Sequence, residues 1–71
     1  MKHSSPMVRR FARTLKTARL AAGHTQQSLG DRAGFDRTYI GALERGERNV
    51  SLFVIEKLAK ALRVDGRELV G

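Results

Sequence analysis

The sequence predicts an all-α fold, a compact cluster of five helices in one domain over residues 1–71. Three observations point there. Apolar residues recur at helical spacing. A Ser, Thr or Asp stands just before each periodic stretch, and a Gly closes three of them. No stretch carries the two-residue alternation of a convincing strand.

The first helix is expected to open at Ser5-Pro6, with Ser as N-cap and Pro at the first helical position, where its missing N–H is not needed. Val8, Phe11, Leu15, Ala18 and Ala22 follow at helical spacing, and Gly23 ends it. Thr25 caps the second helix, Gln26 to about Ala33, with Leu29 and Ala33 inward and Gly34 as its stop. Asp36 caps the third, Arg37 to Arg45, with Ile40 and Leu43 inward and Gly46 closing it. After the loop Glu47-Arg48-Asn49-Val50, Ser51 caps a fourth helix whose core stripe is Leu52, Ile55, Leu58, Ala59 and Leu62. Asp65 with Glu68 three residues on forms a capping-box-like start for a short last helix with Leu69 inward. Loops this short between short helices imply a compact bundle. Residues 1–5 are expected to be flexible.

Charge is segregated along the chain. Fourteen Lys and Arg against seven Asp and Glu leave a net +7. Lys2, Arg9, Arg10, Arg13, Lys16 and Arg19 all precede the first acid, Asp31, and after it the signs mix. Arg dominates the cations, and its planar fork suits phosphates and guanine edges. A polyanion partner, double-stranded DNA, is the expectation. Most cations of the first helix wrap around it, so their part is long-range steering.

Other classes recede. With no Cys there is no disulfide framework, and a cytoplasmic location is expected. The run Leu52–Ile55 is far short of the roughly 20 apolar residues that span a bilayer. No membrane partner is expected. His3 and His24 are isolated and read as surface residues; no metal and no cofactor is expected. The serines read as caps or surface residues, no G-x-S-x-G turn occurs, and no Gly-rich loop ends in Lys-Ser/Thr. The chain is not expected to be an enzyme.

Helices two and three, joined through Ala33-Gly34-Phe35, have the sequence form of a helix-turn-helix. The Gly turns the chain steeply in few residues, and Asp36 caps a helix whose first turn offers Arg37, Thr38 and Tyr39 outward. The words Thr25-Gln26-Gln27-Ser28-Leu29, Arg37-Thr38-Tyr39-Ile40 and Leu43-Glu44-Arg45-Gly46-Glu47-Arg48-Asn49 resemble the phage repressor and Cro-type family, often called Xre. Ile55-Glu56-Lys57-Leu58-Ala59 is similar to that family's fourth helix. On so short a chain these words also resemble the controller proteins of restriction–modification systems.

The resemblance implies a lambda-repressor-like fold and sequence-specific DNA binding. Gln26 matches a Gln that contacts a phosphate and braces the reading helix, and Gln27 stands close enough to help. Arg37, Thr38 and Tyr39 match its base-reading start. Gly41 and Ala42 fall on the groove-facing side, where relatives carry longer polar residues, so direct readout shifts toward Arg37 and Thr38. Arg48 and Asn49 match a loop over the DNA backbone. Arg19 and Glu44 match a salt bridge beneath the DNA surface, which also places Arg19 among the interface residues. Gly30 replaces a common Ala and is expected to cost helix two up to about 1 kcal/mol in propensity.

Helix four carries more apolar residues than one core stripe needs. At about 100° per residue Phe53 falls nearly opposite the stripe and Val54 on a flank. A two-fold contact through Phe53, Val54, Val64, Leu69 and Val70 is expected. It would set two reading helices about 34 Å apart and select a near-palindromic operator. Repression would follow from occlusion, and activation would need a contact with RNA polymerase. The alternative is an antitoxin-type protein-interaction module that also binds its own operator; a nonspecific nucleoid-type binder would differ by a specificity ratio near one.

Overall fold

The computed structural model describes residues 5–70. It contains α1 (Pro6–Ala21), α2 (Gln26–Ala33), α3 (Arg37–Glu44), α4 (Leu52–Leu62) and α5 (Arg67–Val70), with no strand among the described residues. Each of the first four helices begins where a short polar side chain takes an otherwise unpaired backbone N–H. Ser5 accepts from Val8 N at 3.1 Å, Thr25 from Ser28 N at 2.9 Å, Asp36 from Thr38 N at 3.2 Å and Ser51 from Val54 N at 3.1 Å. Ser5 is therefore part of the fold rather than of a loose leader; residues 1–4 lie outside the described residues. The Thr25 cap is reciprocal, because Thr25 N donates to Ser28 Oγ. At α5 the box read from Asp65 and Glu68 is formed: Asp65 N donates to Glu68, and Arg67 N donates to Asp65.

The core is one cluster with a contribution from every helix. Leu15, Leu29, Ile40, Leu43, Leu58 and Leu69 are its largest fully enclosed side chains, with Phe11 and Ile55 at its margin. α1 packs on α3 and α5, and α2 on α3 and α4. No helix of the described residues is long and apolar enough to cross a membrane.

Two expected core positions are exposed. Ala22 caps α1 and faces solvent. Leu52 is 82% exposed. It sits in the first turn of α4, and helical side chains lean toward the N-terminus, so Leu52 projects past the end of the core. Ala61 of α4, outside the expected core stripe, is buried, on the same helix that packs against α2.

The turn between α2 and α3 is tighter than the sequence suggests. Gly34 sits at φ 84°, in the left-handed region that its side-chain-free backbone tolerates. Both Gly34 N and Phe35 N donate to Gly30 O at 2.8 Å. This folds the turn back so far that a Cβ at Gly30 would collide with the Phe35 carbonyl oxygen. Gly30 is thus a clearance, not a weak spot, and the expected propensity penalty is outweighed. Gly30→Ala should destabilise the fold by about 1–3 kcal/mol, the range for overpacking, despite alanine's better helix propensity. Urea unfolding at unchanged m-value reads this, and a gain in stability would refute it.

Candidate nucleic-acid interface

The outer face of α3 is prepared from behind. Glu44, on the inner side of the helix, is held by groups from two other elements. Arg19 of α1 donates through Nε to Glu44 Oε2 at 2.6 Å and through Nη2 to Oε1 at 3.0 Å. Gln26 of α2 donates through Nε2 to Oε1 at 3.1 Å. The third guanidinium nitrogen, Nη1, donates to the His24 carbonyl at 2.8 Å. The Arg19 and Glu44 side chains are only 8% and 3% exposed. Bidentate pairing of this kind is geometrically specific, and the hydrogen bonds the arginine donates to Glu44 raise its pKa above the ordinary value. One carboxylate therefore fixes α3 against both α1 and α2.

This geometry sorts the expected residues. Arg19 belongs to the clamp and is corrected as an interface residue, because its guanidinium is buried and bonded through all three nitrogens. Gln26 braces α3 as expected and is half-buried. Gln27 is exposed and donates to Asp31 at 2.9 Å. Arg37 and Thr38 are exposed on the first turn of α3, with Asp36 holding that turn open. Tyr39 is half-buried: its ring lies 5.3 Å from that of Phe35, and the Arg48 guanidinium lies 6.0 Å above it. Arg48 and Asn49 are exposed in the following loop.

Gly41 and Ala42 are corrected as groove-facing surface. Both are buried, Ala42 to 6% exposure. Gly41 lies beneath the side chains of Gln26 and Arg45, which a Cβ there would meet at 3.5 and 3.1 Å. The exposed side chain at this level is Arg45, which the reading of the sequence passed over. Its spacing of eight from Arg37 was the available signal, since steps of four keep residues on nearly one helical face. Arg45 Nε donates to Glu47 Oε2 at 2.9 Å, and this bond holds the Glu47 carboxyl below its usual range.

A second surface lies on α4 and α5. Phe53 is 64% exposed, with Lys57 Nζ 5.7 Å from its ring centroid. An open groove runs beside it, lined by Leu52, Phe53, Ala59, Val64 and Val70 among others. Leu69 is corrected as a surface contact: it is 1% exposed and part of the core. Val54 and Val64 are half-buried against the same core, which leaves Leu52, Phe53 and Val70 as the apolar side chains that face outward.

Known proteins share this architecture. The helix-turn-helix family model HTH_3 matches residues 15–69. The control protein C.BamHI of Bacillus amyloliquefaciens is 41% identical over 61 residues, covering 84% of this chain and 75% of that protein. The crystal structure of the restriction-modification controller protein C.AhdI from Aeromonas hydrophila superposes with a TM-score of 0.85 at 47% identity, over 87% of this chain and 94% of that one. The controller protein C.Esp1396I, a tetramer in complex with its natural 35 base-pair operator, superposes at 0.83 with 29% identity, over 96% of this chain and all of that one. The turn built on Gly34, the capped α3 and the clamp beneath it thus carry an established identity: this chain belongs to the Xre-type helix-turn-helix family, alongside the controller proteins it resembles.

Proposed function

We propose that this chain is a sequence-specific DNA-binding transcriptional regulator that acts as a homodimer on a near-palindromic operator. The observation that carries the reading is the presentation of α3: Arg37 and Thr38 stand exposed on a capped first turn while Glu44, at the other end of the helix, ties it to α1 and α2. An α-helix fits the major groove, and its first residues reach base edges. The exposed cations Arg48, Arg13 and Lys16 supply attraction to phosphate, which makes affinity fall steeply with salt. The operator complex of C.Esp1396I supports duplex DNA as the partner.

The groove at Phe53 and Val70 supports the dimer, because apolar side chains this exposed lower their free energy by burial against a copy. Regulation is by occupancy of the operator, with occlusion of RNA polymerase as the simplest outcome. No catalysis and no cofactor enters this mechanism.

Selection of bound sequences from random duplex DNA at physiological salt tests the reading. A recovered inverted repeat is the expected result, and a specificity ratio near one would overturn it. Arg37→Ala should cost about 1–3 kcal/mol and relax the preference at one position of each half-site. A uniform loss across all sequences would remove the base-reading role of Arg37.

A further inference from the structure

We propose that Arg45, one residue past the end of α3, reads a base in the same groove as Arg37, with Glu47 as its positioning residue and Gly41 as the gap that receives it. The inference rests on the DNA-binding reading above and adds a second specificity contact to it.

Three features of the geometry converge. First, Arg45 keeps helical backbone angles, φ −86° and ψ −2°, so the α3 face continues through it. Arg37, Gly41 and Arg45 advance by about 40° per step of four, so Arg37 and Arg45 stand about 80° apart and are exposed together with Thr38, while Gly41 between them is covered. Second, the Arg45 side chain runs back along the helix. Its Nη1 lies 3.1 Å from the point where a Cβ at Gly41 would stand. The middle of α3, which has no long side chain of its own, is thus covered by a guanidinium from the following turn.

Third, Glu47 takes only Nε, at 2.9 Å. The Nη1–Nη2 edge is left as an end-on fork, the shape that matches guanine O6 and N7. The side chains of this pair are 57% and 39% exposed, so the pair adds little to stability. Its consequence is orientation. An arginine free to sweep would serve any phosphate, whereas one held at Nε presents its fork in a fixed direction.

The spacing fits two separate contacts. The Arg45 guanidinium sits at the level of Gly41, about 6 Å along the axis from the Arg37 backbone. Arg37 and Arg45 therefore address different positions of one half-site.

The test is sequence selection by the full chain and by Arg45→Ala, Arg45→Lys, Glu47→Gln and Gly41→Ala, each checked for fold by thermal melting. Arg45→Ala should reduce the preference for one guanine-bearing pair by about 5- to 150-fold. That pair should differ from the one relaxed by Arg37→Ala. Arg45→Lys should lose the same preference, since it keeps the charge without the fork. Glu47→Gln and Gly41→Ala should weaken it, the second by pressing a methyl on Nη1.

An unchanged motif with Arg45→Ala would overturn the proposal. So would an equal loss on every sequence with a salt slope smaller by about one, the mark of a phosphate contact. Recovery of preference by Arg45→Lys would also refute the fork. Failure of the unaltered chain to select any motif would instead remove the DNA-binding reading itself.

Discussion

Glu44→Ala is expected to remove about 3–5 kcal/mol of folding free energy. The substitution leaves the Arg19 guanidinium, 8% exposed, without the acceptor that takes two of its three nitrogens. It also strips Gln26 of its partner. A chain of 71 residues has a total stability on the order of 4–10 kcal/mol, so the loss is about half of the total and the variant should melt well below the parent chain. Urea unfolding at low temperature measures the loss. The pair itself is not required for a stable core: Arg19→Met with Glu44→Leu should recover most of the loss, because two apolar side chains of similar volume avoid the desolvation of both charges. The double variant should nevertheless bind DNA less specifically, having lost the bidentate geometry that sets the tilt of α3. A loss below about 1 kcal/mol for Glu44→Ala would show that the pair behaves as an exposed one.

The second large effect falls on binding rather than on folding. Phe53→Asp should give a monomer by analytical ultracentrifugation and lower affinity for a two-half-site operator by about 10²- to 10⁴-fold, the contribution of joining two binding units. Phe53 is 64% exposed and outside the core, so the melting of the isolated subunit should change little. Binding to a single half-site should also be nearly unaltered, which separates loss of pairing from loss of DNA contact. A dimer that persists in the variant would place the contact elsewhere, with the outer face of Leu52 as the next candidate.

Local signals explain what the sequence disclosed. Caps at Ser5, Thr25, Asp36 and Ser51 and the stop at Gly34 act over two to four residues, so they mark helix ends almost to the residue. The Arg19–Glu44 pair was legible only through resemblance, since 25 residues separate the partners and no periodicity links them. Three readings missed because packing decides them. Leu52 has the right phase for the core but stands beyond its end. Leu69 was assigned both inward and to a contact surface, and a four-residue helix has room for one role. Gly30 carries a propensity cost on any scale, and only the returning chain at Phe35 reveals why it fits. At the candidate interface, the exposure of Arg37 and Thr38 follows from their place after a cap. Gly41 was misplaced because the side chains of Gln26 and Arg45 lie over it, Ala42 because it is buried, and Arg45 was overlooked because sequence order does not show its side chain reaching back over Gly41.

On α3 the inward positions Ile40, Leu43 and Glu44 are tied to the rest of the molecule, while Arg37, Thr38 and Arg45 face away from it. Exposed substitutions of this kind usually shift stability by no more than about 0.5 kcal/mol. The frame can thus accept new outward residues without repair elsewhere. Over generations, the displayed residues can change while the scaffold that carries them is kept.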